Sequence, residues 1–264
     1  MMRNVLIRTL YERRWFMAGW SIVFLVMTAL IMTFYPSFSD SGGIETVAKQ
    51  LPEQLRGLIG DPSDYKSLDG FIASQIYDIR MTLLIIIMTL VLASGMSLKD
   101  EETGDMRTLL ATSISRAKLF WQKFLAGVII ISTINLVATA GTYLGILSLG
   151  EDAPHQLIWQ LFILSTLFGV ATFSIPYSIG VATGKRAITM FVGLFVAVGS
   201  YMITTFASAV EWIEYIEKVS IMHYFDTTSI REGQINSADI TILLLIILVS
   251  LLVSLGVFRK RDIS

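Results

Sequence analysis

Enzymatic and metal chemistry draws on a short set of side chains, and this chain offers few of them. Its 264 residues include no cysteine and two histidines, His155 and His223. Disulfide scaffolds, thiolate metal sites and cysteine nucleophiles are therefore excluded. Each histidine falls in a separate polar segment and reads as an ordinary interfacial or loop residue, so no metal site is expected. The stretch Gly180-Val181-Ala182-Thr183-Gly184-Lys185-Arg186 approaches a phosphate-binding loop. It is one residue too short, has Arg where Ser or Thr should stand, and follows an apolar run rather than a strand. It reads as a small-residue helix end followed by a basic pair. No catalytic set and no ATPase is therefore expected on this chain. Three other groups of polar residues remain: a charge-dense segment at 99–123, uncharged polar side chains inside apolar runs, and Asp78 with Arg80 at the edge of one such run.

Apolar helices must position these groups. Hydrophobic residues make up 54% of the chain and charged residues 16%, whereas soluble domains carry about a quarter charged residues. A helix crosses the hydrocarbon core with about 20 mostly apolar residues. Six runs qualify: 15–36, 81–98, 124–149, 157–183, 187–209 and 240–258. The expected fold is all-α, one polytopic membrane domain over 1–264. The third and fourth runs exceed the bilayer, which implies tilt, and Pro176 is expected to kink the fourth. The first run follows four arginines but is too long for a signal-peptide core and lacks a small-x-small site after it. It reads as a retained anchor.

Six spans place both termini on one side, and the charges sort accordingly. Segments 1–14, 99–123, 184–186 and 259–264 hold 14 Lys/Arg and six acidic residues, a net +8. Segments 37–80, 150–156 and 210–239 hold six Lys/Arg and 15 acidic residues, a net −9. Lys and Arg near the membrane mark the cytoplasmic side, so both termini are expected there. The formal net charge of −1 hides this separation, and it argues against a nucleic-acid binder. These segments account for every Asp, Glu, Lys and Arg, so none is expected deep in a span. Ion-coupled carriers generally need such residues. Any transport must then draw its energy from outside the lipid.

The segments between spans have their own patterns. In 1–14, Val5, Leu6 and Leu10 alternate with Arg3, Arg8, Arg13 and Arg14, as in an interfacial helix; a plain positive flank is the alternative. In 37–80, Ile44, Val47, Ala48, Leu51, Leu55, Leu58 and Ile59 recur at helical steps, predicting two short outer helices, the second opening at Pro52. Asp69 is a candidate cap for the helix entering the second span. Trp212, Ile213, Ile216 and Val219 form another amphipathic outer stretch. In 99–123, Gly104 can end the helix leaving the membrane, Met106, Leu109 and Leu110 form an apolar stripe, and Ser115 can cap the re-entering helix. A docking hairpin for a soluble partner and a solvated loop both fit this pattern.

Within the spans, Asn135, Thr139, Ser165 and Thr172 are candidates for a weakly polar substrate path. Helix packing, with hydroxyls bonded to their own backbone, is the competing reading. Gly141-x-x-x-Gly145 permits close helix contact. The sixth span, nearly all Ile, Leu and Val, is expected to face lipid. A path without fixed charge suits hydrophobic or amphipathic cargo.

The order Glu101-x-x-Gly104, Leu109-Leu110, Ser115-Arg116, with the close Phe258-Arg259-Lys260-Arg261-Asp262-Ile263, resembles the permease subunits of type-2 ATP-binding-cassette (ABC) transporters. The six-span layout and the outer amphipathic segment resemble them too, over essentially the whole chain. The sequence departs at Ser113, where the family often has Pro, and at Asp105, where Thr or Ser is usual. The resemblance implies a path formed with a second permease subunit, identical or homologous. It implies separate cytosolic nucleotide-binding ATPase subunits that carry ATP and Mg; this chain itself would hold no cofactor. Glu101, Glu102, Gly104, Arg107, Leu109, Leu110 and Arg116 would then couple to the ATPase, and Asp78 and Arg80 would sit at the outer mouth. Export across a bacterial cell membrane is the implied role, with membrane lipids as surroundings. The alternatives are an ATPase-independent channel or carrier, or a membrane scaffold.

Overall fold

In lipid an unbonded backbone N–H or C=O finds no water, so a crossing segment must close its hydrogen bonds internally as a helix. The computed structural model describes residues 4–39, 66–102, 115–207 and 210–261. It contains six helices long and apolar enough to cross a membrane: Arg14–Ser37, Leu68–Ser97, Arg116–Leu149, His155–Thr183, Arg186–Phe206 and Ser237–Lys260. We call them spans 1 to 6. No strand occurs among the described residues, and the chain is an all-α polytopic membrane protein. A short helix, Val5–Glu12, precedes span 1, with Asn4 accepting from the Leu6 N–H at 3.0 Å as its cap. It lays Val5 and Thr9 into the bundle and packs on span 3.

Spans 2, 3 and 4 form the interior and spans 1, 5 and 6 the periphery. The apolar stretches of the inner three are 65, 56 and 61% buried; those of the outer three are 17, 17 and 22% buried. Span 1 lies along span 3, where Gly141 and Gly145 open the surface. A side chain at Gly141 would run into Thr28 and the Leu25 carbonyl, and one at Gly145 into Met32. Aromatic rings fill the space between spans 3 and 4: Phe124 stacks on Phe173 at 5.8 Å, and Phe173 on Tyr177 at 5.2 Å. Span 6 packs along span 4 rather than facing only lipid. Ser250 donates to Ser174 at 3.1 Å and Ser254 to the Ser178 carbonyl at 2.9 Å. Leu243, Leu251, Leu255 and Phe258 are buried, while Leu244, Leu248 and Val253 on the other face are exposed.

Several boundaries differ from the sequence reading. Span 2 starts not at 81 but at Leu68, capped by Ser67 rather than by Asp69, which falls in its first turn. It passes through a π-helical stretch, Ile72–Asp78. There the widened turns leave carbonyls for side chains: Arg80 donates to Gln75 O at 2.9 Å, and Thr82 to Tyr77 O at 3.2 Å. Span 3 starts at Arg116, capped by Ser115, so residues 116–123 belong to the crossing helix and not to a separate hairpin arm. Lys123 therefore lies two turns inside that helix and is 6% exposed, a charged group where none was expected. The stretch 180–186 is no phosphate loop. Gly184, at φ 65°, ends span 4 with its N–H on Gly180 O at 2.8 Å, and Lys185 leads into span 5. The outer stretch around Trp212 forms short helical pieces, as expected: a four-residue helix, Glu211–Glu214, followed by 3-10 turns. Trp212 and Val219 are exposed, and Ile221, Met222, Phe225 and Ile230 supply the buried face instead. The two outer helices expected within 40–65, and Gly104, Met106, Arg107, Leu109, Leu110 and Asp262, lie outside the described residues. Glu101 and Glu102 end the helix that continues span 2.

Candidate functional site

Polar side chains meet at three levels of the bundle. At mid-depth, Asn135 of span 3 is fully buried. Its Nδ2 donates to Thr166 of span 4 at 3.2 Å, while its Oδ1 has no hydrogen-bond partner. Thr139, one turn on, donates to Asn135 O at 2.9 Å and meets the Tyr77 hydroxyl at 3.4 Å. Thr28 of span 1 donates to Ala138 O at 3.1 Å. Asn135 and Thr139 thus belong to one polar thread that ties spans 1 to 4. Ser165 is also buried, but its hydroxyl turns back to Phe162 O at 3.1 Å.

Thr172 serves a different place. It receives a hydrogen bond from Thr89 of span 2 at 3.3 Å. Both line a narrow cleft of about 20 Å³ between spans 2, 4 and 5, room for about one water molecule. The cleft walls are otherwise apolar: Ile86, Leu90, Pro176, Val196, Ala197 and, from the segment after span 5, Ile221. The four expected path residues are not brought together: Thr172 lines the cleft, Asn135 and Thr139 share the polar thread, and the Ser165 hydroxyl bonds its own helix.

At the end where acidic residues dominate, Arg80 folds back on its own helix, onto the Gln75 carbonyl and side chain. Asp78 closes the π-helical stretch beside it. The histidines stay apart: His155 Nδ1 meets the Tyr143 hydroxyl at 3.0 Å, and His223 Nδ1 meets Glu217 at 3.1 Å. Among the described residues no cluster of three or more His, Cys, Asp or Glu could hold a metal ion.

At the opposite, basic end, cations lie on backbone carbonyls of other helices. Arg116 donates to Phe258 O at 3.0 Å and also to Arg261 O, with its guanidinium 5.9 Å from the Phe258 ring centre. Arg261 donates to Val181 O at 2.8 Å, Lys123 to Met96 O at 2.9 Å, and Arg13 to Gly95 O. A carbonyl keeps a second lone pair after its helical bond, and those near a helix C-terminus carry the negative end of its dipole. Arg116 was singled out from the sequence as a docking residue; its side chain is engaged within the chain. Tyr77, Thr89 and Lys123 were not singled out from the sequence; Arg13 was named there in the interfacial helix and Arg261 in the closing motif, neither as a contact between helices. For Lys123 a signal existed: it falls on the stripe Phe120, Lys123, Gly127, Ile130, Ile134 that span 3 buries.

The molecule is thus a six-span helical membrane protein in which buried polar residues, among those described, join helices. The chain matches the family described as ABC-2 family transporter protein over residues 6–263, and it belongs to that family of ABC-transporter membrane permeases. It is 20% identical over 208 residues to the uncharacterized protein YhcI of Bacillus subtilis (strain 168), a match covering 70% of this chain and 66% of that protein. The chain thus spans just under two thirds of that relative's length.

Proposed function

We propose that this permease forms, with a second permease chain, a path for ATP-driven export of a hydrophobic or amphipathic substrate such as a drug, an antibiotic or a lipid-like molecule. Separate cytosolic ATPase subunits bind ATP and Mg and supply the energy. The basic end faces the cytoplasm, so both termini lie there, in a bacterial cell membrane. The observation that carries this reading is the family match over 6–263 on a chain without a phosphate-binding loop. The cargo class is supported by the chemistry of the lining and not by an open pocket: the narrow cleft between spans 2, 4 and 5 has apolar walls, two threonine hydroxyls and no charge. A charged solute would find no partner there to offset its lost hydration.

The ATPase acts on the segment that joins spans 2 and 3, through Glu101, Glu102, Gly104, Arg107, Leu109 and Leu110. Buried apolar anchors supply affinity at such a surface, and charges set its register. Arg116 contributes by holding the end of that segment against span 6. The test is co-purification of a nucleotide-binding ATPase with the tagged chain, followed by Glu101→Arg and Arg107→Glu. Each reversal is expected to weaken ATPase association; intact association and transport in both would remove the docking assignment. In proteoliposomes holding the complex, flux of inorganic ions or small charged solutes alone would overturn the cargo class. Cargo flux by the permease without any ATPase would instead favour a passive channel.

A further inference from the structure

Each of the spans that end at the basic side of the bundle, 2, 4 and 6, is held by a cation from another element. Arg261, following span 6, reaches Val181 O of span 4, and Arg116 of span 3 reaches Phe258 O of span 6. Span 2 is held twice, on consecutive carbonyls. The Arg13 guanidinium donates to Gly95 O, and Lys123 Nζ to Met96 O at 2.9 Å. The seat is shaped for this. A Cβ at Gly95 would fall 2.5 Å from Arg13 Nη2 and 2.9 Å from its Cζ, so the guanidinium rests on bare backbone. Lys123 is 6% exposed; a buried ammonium must recover its lost hydration from fixed partners, and the Met96 carbonyl is one.

The two donors come from two different elements. Arg13 joins the Val5–Glu12 helix to span 1, and Lys123 lies on span 3. Residues 99–115 leave from span 2 and return into span 3. A push on a segment whose two roots are untied would splay the roots and end as local bending. With Lys123 on Met96 O the roots move together, and Arg13 adds the N-terminal helix. Further along span 2, Leu90 and Ile86 line the cleft, about 9 and 15 Å from Met96 at the helical rise per residue. Packed helices pass such shifts on as rigid units.

We propose that Arg13 and Lys123 are positioning residues for transport, clamping the basic end of span 2 so that displacement of the 99–115 segment reaches the cleft. This rests on the reading that a cytosolic ATPase acts on that segment. The test uses the full chain with its ATPase subunits in liposomes. The chain lacks cysteine, so Ile87→Cys and Phe195→Cys, both exposed on spans 2 and 5, accept spin labels cleanly. The distance between them is measured without nucleotide and with ATP, Mg and vanadate. The unmodified permease is expected to show a nucleotide-dependent change. The double variant Arg13→Gln with Lys123→Met should lose that change while keeping ATPase association and ATP turnover. Lys123→Arg, which keeps a donor, should retain it. Gly95→Ala, which unseats Arg13 without removing a charge, should diminish it and decides the matter if the double variant does not assemble. An undiminished change in the double variant, or in Gly95→Ala should the double variant not assemble, overturns the proposal. Absence of ATPase association with the unmodified chain overturns the transporter reading instead.

Discussion

Asn135 shows how a polar residue in a span divides between packing and function. One half of its amide is bonded to Thr166, and the Oδ1 half is buried without a partner. Hydrogen bonds between membrane helices contribute about 0.6 kcal/mol on average, and a buried acceptor left unpaired costs about as much or more. Asn135→Leu should therefore change stability by less than about 1 kcal/mol, read from unfolding in mixed detergent micelles. A loss well above that would mean that the amide holds spans 3 and 4 together in a way its one bond does not explain. Lys123 is the opposite case. Its charge is expensive where it lies, and it persists because the Met96 carbonyl receives it.

Among the elements, the contact between spans 1 and 3 depends most directly on residue size. Thr28, Leu25 and Met32 occupy the room that Gly141 and Gly145 leave. Overfilling a well-packed contact costs about 1–3 kcal/mol, so Gly141→Val should lower the thermal unfolding temperature of the detergent-solubilised protein. Gly256 of span 6 has nothing within 4 Å of an added Cβ. Gly256→Ala should leave the unfolding temperature nearly unchanged, within the spread of about 0.5 kcal/mol usual for surface changes. Equal effects of the two would mean that the glycines act through helix propensity and not through close approach. Span 5 is buried over far less of its apolar stretch than spans 2 to 4, and leaves Phe191, Leu194, Phe195 and Val198 exposed.

For the whole molecule, the charge partition predicts its orientation, with the basic end in the cytoplasm. Lys185 at the basic end and Gln234 at the acidic end are both exposed. A membrane-impermeant maleimide applied to intact cells should label Gln234→Cys and spare Lys185→Cys. The reverse pattern would invert the topology and place the 99–115 segment out of reach of any cytosolic ATPase. A chain free of native cysteine makes each label unambiguous.

Six apolar runs, their order and the separation of +8 from −9 are legible in the residues because span length and charge placement are set by the bilayer, a solvent common to all such chains. The Ser115 cap and the Gly141-x-x-x-Gly145 contact are legible for a related reason: their physics is local or rests on size alone. Other features needed the tertiary structure. A helix entering span 2 from near Asp69 was legible, but not its π-helical stretch, Ile72–Asp78, where Arg80 and Thr82 bond backbone carbonyls. The apolar residues Trp212 and Val219 stay exposed, and Ile221, Met222 and Phe225 supply the buried face of that outer segment instead. Asn135 and Thr172 look alike in the sequence, yet one is enclosed among spans 1 to 4 and the other opens on a cleft. Hydropathy records whether a residue tolerates lipid. Which neighbour receives its polar atoms is decided by how six helices pack, and Arg13, Lys123 and Arg261 find their carbonyls only there.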